Sequence, residues 1–175
     1  MSFNDRLKKH SDFQNKAIKL LQNKGFLVNP YGSETNISKN FSEQLYNCGD
    51  NDITAKFIRY KPDLALILIK KNKAYLCELK SSICKNGFVI LEKNSYEISI
   101  LLNNIGIKTF FVFGDFTYNF TKNLKWDTMF VPERFRNQIV SYKKQYHDKE
   151  IKLIPPTKGS NTPFILIHSS SLKKL

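Results

Sequence analysis

Three charged groups sit at the ends of an apolar segment, "YKPDLALILIKKNKAYLCELKSS" over residues 60–82: Asp63 opens one strand-like run, and Glu78 with Lys80 closes the next. Side chains alternate across a strand, so Glu78 and Lys80 project from one face and Leu79 from the other. If Asp63, at the start of the paired strand, lies beside that face, two carboxylates and one ammonium converge. Carboxylates held together repel unless a cation sits between them. Hard oxygen ligands suit Mg²⁺ or Mn²⁺, with water and a substrate phosphate completing the shell. Such an ion orients a phosphodiester, acidifies a water and stabilises a leaving oxygen, while Lys80 holds or helps deprotonate the attacking water or offsets transition-state charge. The competing reading is a hairpin with ordinary solvated ends, in which Pro62 and Asp63 make a turn and Glu78 pairs with Lys80.

Positioning these groups requires a sheet. Residues 63–69 and 74–80 read as two strands joined by the basic turn "KKNK", short enough for an antiparallel hairpin. "LALILI" is apolar on both faces, which predicts a central strand. Before the hairpin, residues 4–24 carry Leu7, Phe13, Ala17, Ile18, Leu20 and Leu21 at helical spacing, with Gly25 as a stop. "GFLVNPYGS" reads as a short strand and turn, and residues 34–56 as a polar connection with a short helix near 42–46. After the hairpin, residues 90–104 predict a helix and "GIKTFFVFG" a strand parallel to a neighbour across the crossover. Further on, strands are expected near 128–131, 151–154 and 164–167 and a helix over 132–146. This order predicts an α/β fold, a central mixed β-sheet flanked by helices, in one domain spanning residues 1–175.

"PD" at Pro62-Asp63 followed by "ELK" at Glu78–Lys80 on the next strand resembles the PD-(D/E)xK nuclease superfamily, nearest in element order to the archaeal Holliday junction resolvases. The similarity spans residues 12–113. It implies a restriction-endonuclease-like core and a metal-dependent DNA endonuclease that hydrolyses phosphodiesters by in-line attack of a metal-activated water. Asp63, Glu78 and the Leu79 carbonyl would ligate Mg²⁺ (or Mn²⁺), and Lys80 would position the nucleophile. The resolvases carry a glutamate on the first helix where this chain has Gln14. A neutral amide adds no charge, so either the site works with two carboxylates and Gln14 in support, or Glu34, Asp12 or Glu43 supplies another. The stretch 34–61 is also longer than its resolvase equivalent. The superfamily's next helix often offers a polar group to the scissile phosphate, and Glu92, Lys93 and Tyr96 stand at that place.

Charge points to the partner. The chain has 28 Lys plus Arg against 15 Asp plus Glu, a formal charge of +13 that favours a polyanion such as DNA, with RNA as an alternative. Arg59, Lys70, Lys71, Lys93, Arg134 and Arg136 are the candidate nucleic-acid contacts; Arg59, three residues before Pro62, is better placed to touch a phosphate near the site, whereas the others are as compatible with a solvated basic surface. Cys48, Cys77 and Cys84 lack zinc-ligand spacing and are expected as reduced thiols. There is no export signal and no long apolar run, so the expectation is a cytoplasmic protein with no membrane association. A homodimer is consistent with cutting two strands. A binding domain with a degenerated site, marked by Gln14, and an RNA nuclease are the alternatives.

Overall fold

A computed structural model describes residues 3–32, 38–49, 51–85, 87–121, 140–143, 150–153 and 164–175. It is an α/β fold built on a mixed six-stranded sheet, and the described residues include four α-helices. Helix α1 (Phe3–Asn23) ends two residues before Gly25, whose φ of +86° gives the left-handed turn into β1 (Phe26–Pro30). Helices α2 (Lys39–Asn47) and α3 (Ile53–Tyr60) follow. Ser38 caps the first, and Asp52 caps the second by accepting from the amides of Thr54 and Ala55 at 2.9 Å each.

The hairpin is β2 (Leu64–Leu68) and β3 (Lys73–Lys80), joined through a 3-10 turn at Ile69–Lys71 and Asn72 in the left-handed region. Then come β4 (Phe88–Glu92), α4 (Lys93–Asn104), β5 (Thr109–Phe113) and β6 (Thr117–Phe120). Beyond these lie β7 (Val140–Lys143), β8 (Glu150–Leu153), β9 (Phe164–His168) and β10 (Lys173–Lys174). The main sheet runs β1-β2-β3-β5-β6-β10. Its one parallel pair, β3 with β5, is the pair bridged by the helical crossover. β4 pairs with β9, and β7 with β8, as separate ribbons.

Alternation along the strands gives the sheet two distinct faces. On one, Leu64, Leu66, Cys77, Leu79, Phe110 and Val112 pack under Phe13, Ala17 and Leu21 of α1. On the other, Phe111 and Phe113 join Val89, Leu91, Tyr96, Ile100, Ile165 and Ile167 from β4, α4 and β9. Glu78 and Lys80 belong to this second face, beside Phe111 and Phe113 in the parallel register.

Three expectations are corrected and one is met. The helix expected over 90–104 begins only at Lys93, because Phe88–Glu92 pairs with Phe164–His168, a partner far away in sequence. α3 occupies residues read as open connection. β2 has neighbours on both edges, as expected of a central strand, although Ile67 on its second face is 46% exposed. Within the helix expected over 132–146, Val140–Lys143 is a strand zipped antiparallel to Glu150–Leu153; Arg134, Arg136 and the strand expected at 128–131 lie outside the described residues. Among the described residues, no helix is long and apolar enough to cross a membrane.

Candidate active site

Asp63 precedes β2, and the β2–β3 register Leu64↔Cys77, continued by one residue, sets it opposite Glu78. Residues so opposed have Cβ atoms about 5 Å apart. The exit of β1 clamps the aspartate from behind: its carbonyl accepts from the amides of Tyr31 (2.7 Å) and Gly32 (2.9 Å). A Cβ at Gly32 would stand 3.3 Å from Asp63 Cα and 3.4 Å from its Oδ1, so glycine permits this approach. In front, Asp63 Oδ2 accepts the Leu79 N–H at 2.6 Å. A strand residue's N–H and C=O point to the same edge, so the Leu79 carbonyl is directed to Asp63's side as well.

Lys80 bridges two carboxylates: its Nζ is 2.8 Å from Glu78 Oε1 and 2.9 Å from Glu92 Oε2. Glu92 ends β4 and occupies the N-cap position of α4, where the Ser95 hydroxyl also donates to its Oε2 at 3.2 Å. Glu78 Oε2 is buried with no hydrogen-bond partner among the described residues. An orphaned carboxylate oxygen is costly in a low-dielectric interior.

The protonation balance follows from this packing. Burial pushes the Glu78 carboxyl up, Lys80 pulls it down and Asp63 pushes it up again, leaving it at about 7. Burial works against the Lys80 ammonium, but Glu78 and Glu92 outweigh it and hold the group above the ordinary lysine range. Burial likewise raises Glu92, yet Lys80 and Ser95 together bring it below its usual value. Burial, then Asp63 and Glu78, raise the Cys77 thiol well above its usual value, which makes it a poor nucleophile.

With all groups ionised, Asp63, Glu78 and Glu92 carry three negative charges against one on Lys80. Among the described residues no group of three His, Cys, Asp or Glu side chains forms a ready cation cage. Mg²⁺ does not need one, since it keeps several waters and takes one or two carboxylates plus phosphate. The orphaned Glu78 Oε2 beside Asp63 fits that habit.

The other sequence candidates are dispersed. Gln14 is half-buried on α1, whose apolar stripe packs on the opposite sheet face, and among the described residues no hydrogen bond joins it to Asp63 or Glu78. Asp12 lines a shallow cleft with Lys8, Lys9, Lys16, Gly114 and Phe116. Glu43 is exposed near Lys39 on α2, and Glu34 lies outside the described residues. Arg59 donates to the Gly49 carbonyl at 3.1 Å and lies over the rings of Tyr46 and Tyr60, which ties α2 to α3. Lys93 is 3.4 Å from Glu97, and the same glutamate meets Lys56 at 2.6 Å. Lys70 and Lys71 are exposed at the far end of the hairpin, separated from Asp63 by about 16 Å of strand.

Sequence reasoning placed Glu92 inside a helix and gave it no partner; the run "FVIL" before it was the signal for a strand end. It missed the Lys56–Glu97 pair entirely, because α3 was not expected. Compared with protein-family models, curated proteins and solved structures, the chain matches none.

Proposed function

We propose that the chain is a divalent-metal-dependent DNA endonuclease. The observation that carries this reading is the meeting of Asp63, Glu78 and Lys80 on one sheet face, with Glu78 Oε2 buried and unpartnered beside a second carboxylate. Asp63 and Glu78 would hold Mg²⁺ or Mn²⁺, with the Leu79 carbonyl on the same edge. When bound, the ion supplies Lewis-acid polarisation of the phosphate and acidifies water. Lys80 keeps its charge at neutral pH and serves as a fixed cationic donor that orients the nucleophile and offsets charge as the phosphorane-like transition state forms. Asp63, tied by three backbone N–H groups, needs no reorganisation to do its part. The +13 balance favours a polyanionic substrate.

The specific observation favouring the second reading, a binding domain without hydrolysis, is the neutral Gln14 on α1. One experiment decides between them. Wild type, Glu78→Gln and Lys80→Ala are incubated with labelled duplex, single-stranded and four-way-junction DNA and an RNA strand, in Mg²⁺, Mn²⁺ or EDTA. Metal-dependent cutting that disappears in both variants is expected, and the substrate that is cut separates DNA from RNA. Binding without cutting under every condition overturns the nuclease reading, and cutting that survives both substitutions overturns the site.

A further inference from the structure

Lys80 is shared between two glutamates of different standing. Glu78 lies on the same strand, faces Asp63 and has one oxygen on the ammonium and one with no hydrogen-bond partner. Glu92 comes from the β4–α4 junction, grips the ammonium from another direction and is about one-third exposed. Its backbone is fixed twice over, by pairing with Phe164 on β9 and by the start of α4. Its carboxylate is further tied to Ser95 and lies at a helix N-terminus, which favours negative charge. We infer that Glu92 is a positioning residue of the site, the anchor that keeps Lys80 in place when a divalent cation claims Glu78. This rests on the nuclease reading above.

Asp63 and the free Glu78 Oε2 would hold the cation, which would draw the Glu78 charge away from the ammonium and repel it. The hold of Glu78 Oε1 on Lys80 would weaken, which would leave Glu92 as the firmer of its two carboxylate contacts. With Glu92 present, the ammonium would keep its place beside the site; without it, a flexible four-carbon stem would rest on the weakened Glu78 contact alone. Glu92 thereby joins the site as its third acid from the strand–helix junction, whereas Asp12 and Glu43 do not approach Lys80 in any described ion pair.

Two measurements on the full chain test this. The first compares wild type, Glu92→Gln, Glu92→Ala and Glu92→Asp for cleavage across a Mg²⁺ series, with thermal melting and DNA binding in Ca²⁺ as controls. Glu92→Gln is expected to lower kcat about 100-fold, as displacement of a reacting group by 1 Å does, with KM for DNA and the melting temperature little changed. Glu92→Asp should recover part of the rate. A kcat for Glu92→Gln within threefold of wild type, while Glu78→Gln is inactive, overturns the role of Glu92 and leaves the nuclease standing. The second measurement needs no cleavage: Lys80 is labelled with an amine-reactive reagent with and without Mg²⁺ and quantified by mass spectrometry. Lys80 should stay protected in wild type and become reactive in Glu92→Gln only when Mg²⁺ is present. Equal labelling of the two proteins in Mg²⁺ overturns the inference, whether or not DNA is cut.

Discussion

A buried glutamate whose carboxyl sits at about 7 is protonated more readily in the folded chain than in the unfolded one, where the usual value near 4.5 applies. Its contribution to stability is therefore fully present below pH 4.5 and is lost as pH rises through 7. The shift corresponds to roughly 3 kcal/mol, set mainly by burial and opposed by Lys80. Glu92 runs the other way, with its carboxyl below the usual value, so its contribution appears only above that value and fades in acid. Between pH 5 and 8 Glu78 passes from protonated to ionised, and thermal melting without divalent cations should fall over that range. Mg²⁺ added at pH 8 should restore the loss, and Glu78→Gln should flatten the pH profile and abolish the Mg²⁺ effect. A wild-type melting temperature indifferent to Mg²⁺ at pH 8 would count against Asp63 and Glu78 as ligands.

At the scale of elements, the site depends on contacts that bring loop and strand ends close. Gly114 follows β5 and donates to the Ser82 carbonyl at 2.8 Å; a Cβ there would lie 2.3 Å from the Ser81 oxygen. That collision is with backbone just after Lys80, so Gly114→Ala should cost more than about 2 kcal/mol in denaturant unfolding and reduce activity as well. α3 leads directly into Pro62-Asp63 and is pinned to α4 by Lys56–Glu97, a 2.6 Å pair buried on both sides. Removing one partner of a buried pair costs about 3–5 kcal/mol. Lys93 also contacts Glu97, so Lys56→Ala should fall at the lower end of that range, and Glu97→Ala, which strands two lysines, at the upper end. Chemical denaturation of the two variants checks the order. The double substitution Lys56→Met, Glu97→Leu should recover part of the loss, because it removes both charges of the buried pair and leaves only the less buried Lys93 without its carboxylate.

At the scale of the whole molecule, charge among the described residues is distributed unevenly with respect to the site. The carboxylates gather at one end of the β2–β3 hairpin, while Lys70, Lys71 and Lys73 are exposed at the other. Binding to a nucleic acid should weaken linearly in log–log form as salt rises, because each neutralised phosphate releases condensed counterions, with a slope of about −0.9 per contact on duplex DNA. Titration of duplex binding in Ca²⁺ between low and moderate salt measures that slope. A triple substitution of Lys70, Lys71 and Lys73 by Gln should reduce it if the tip of the hairpin touches the backbone, and an unchanged slope assigns the contacts elsewhere.

By itself the sequence determined the first helix with its Gly25 stop, the β2–β3 hairpin, the strand parallel to β3 and the placement of Glu78 and Lys80 on one face. All of these follow from periodicity or short-range turn chemistry, which local residues control. It did not determine that Phe88–Glu92 is a strand, because the deciding partner, Phe164–His168, lies some seventy residues away and propensity yields to such pairing. The same holds for Val140–Lys143, where a helix was expected and a β-ribbon formed. Only the tertiary structure decided which carboxylates meet Lys80. Glu92 reaches it because β4 ends where α4 begins, a juxtaposition of three elements that spacing along one chain does not encode.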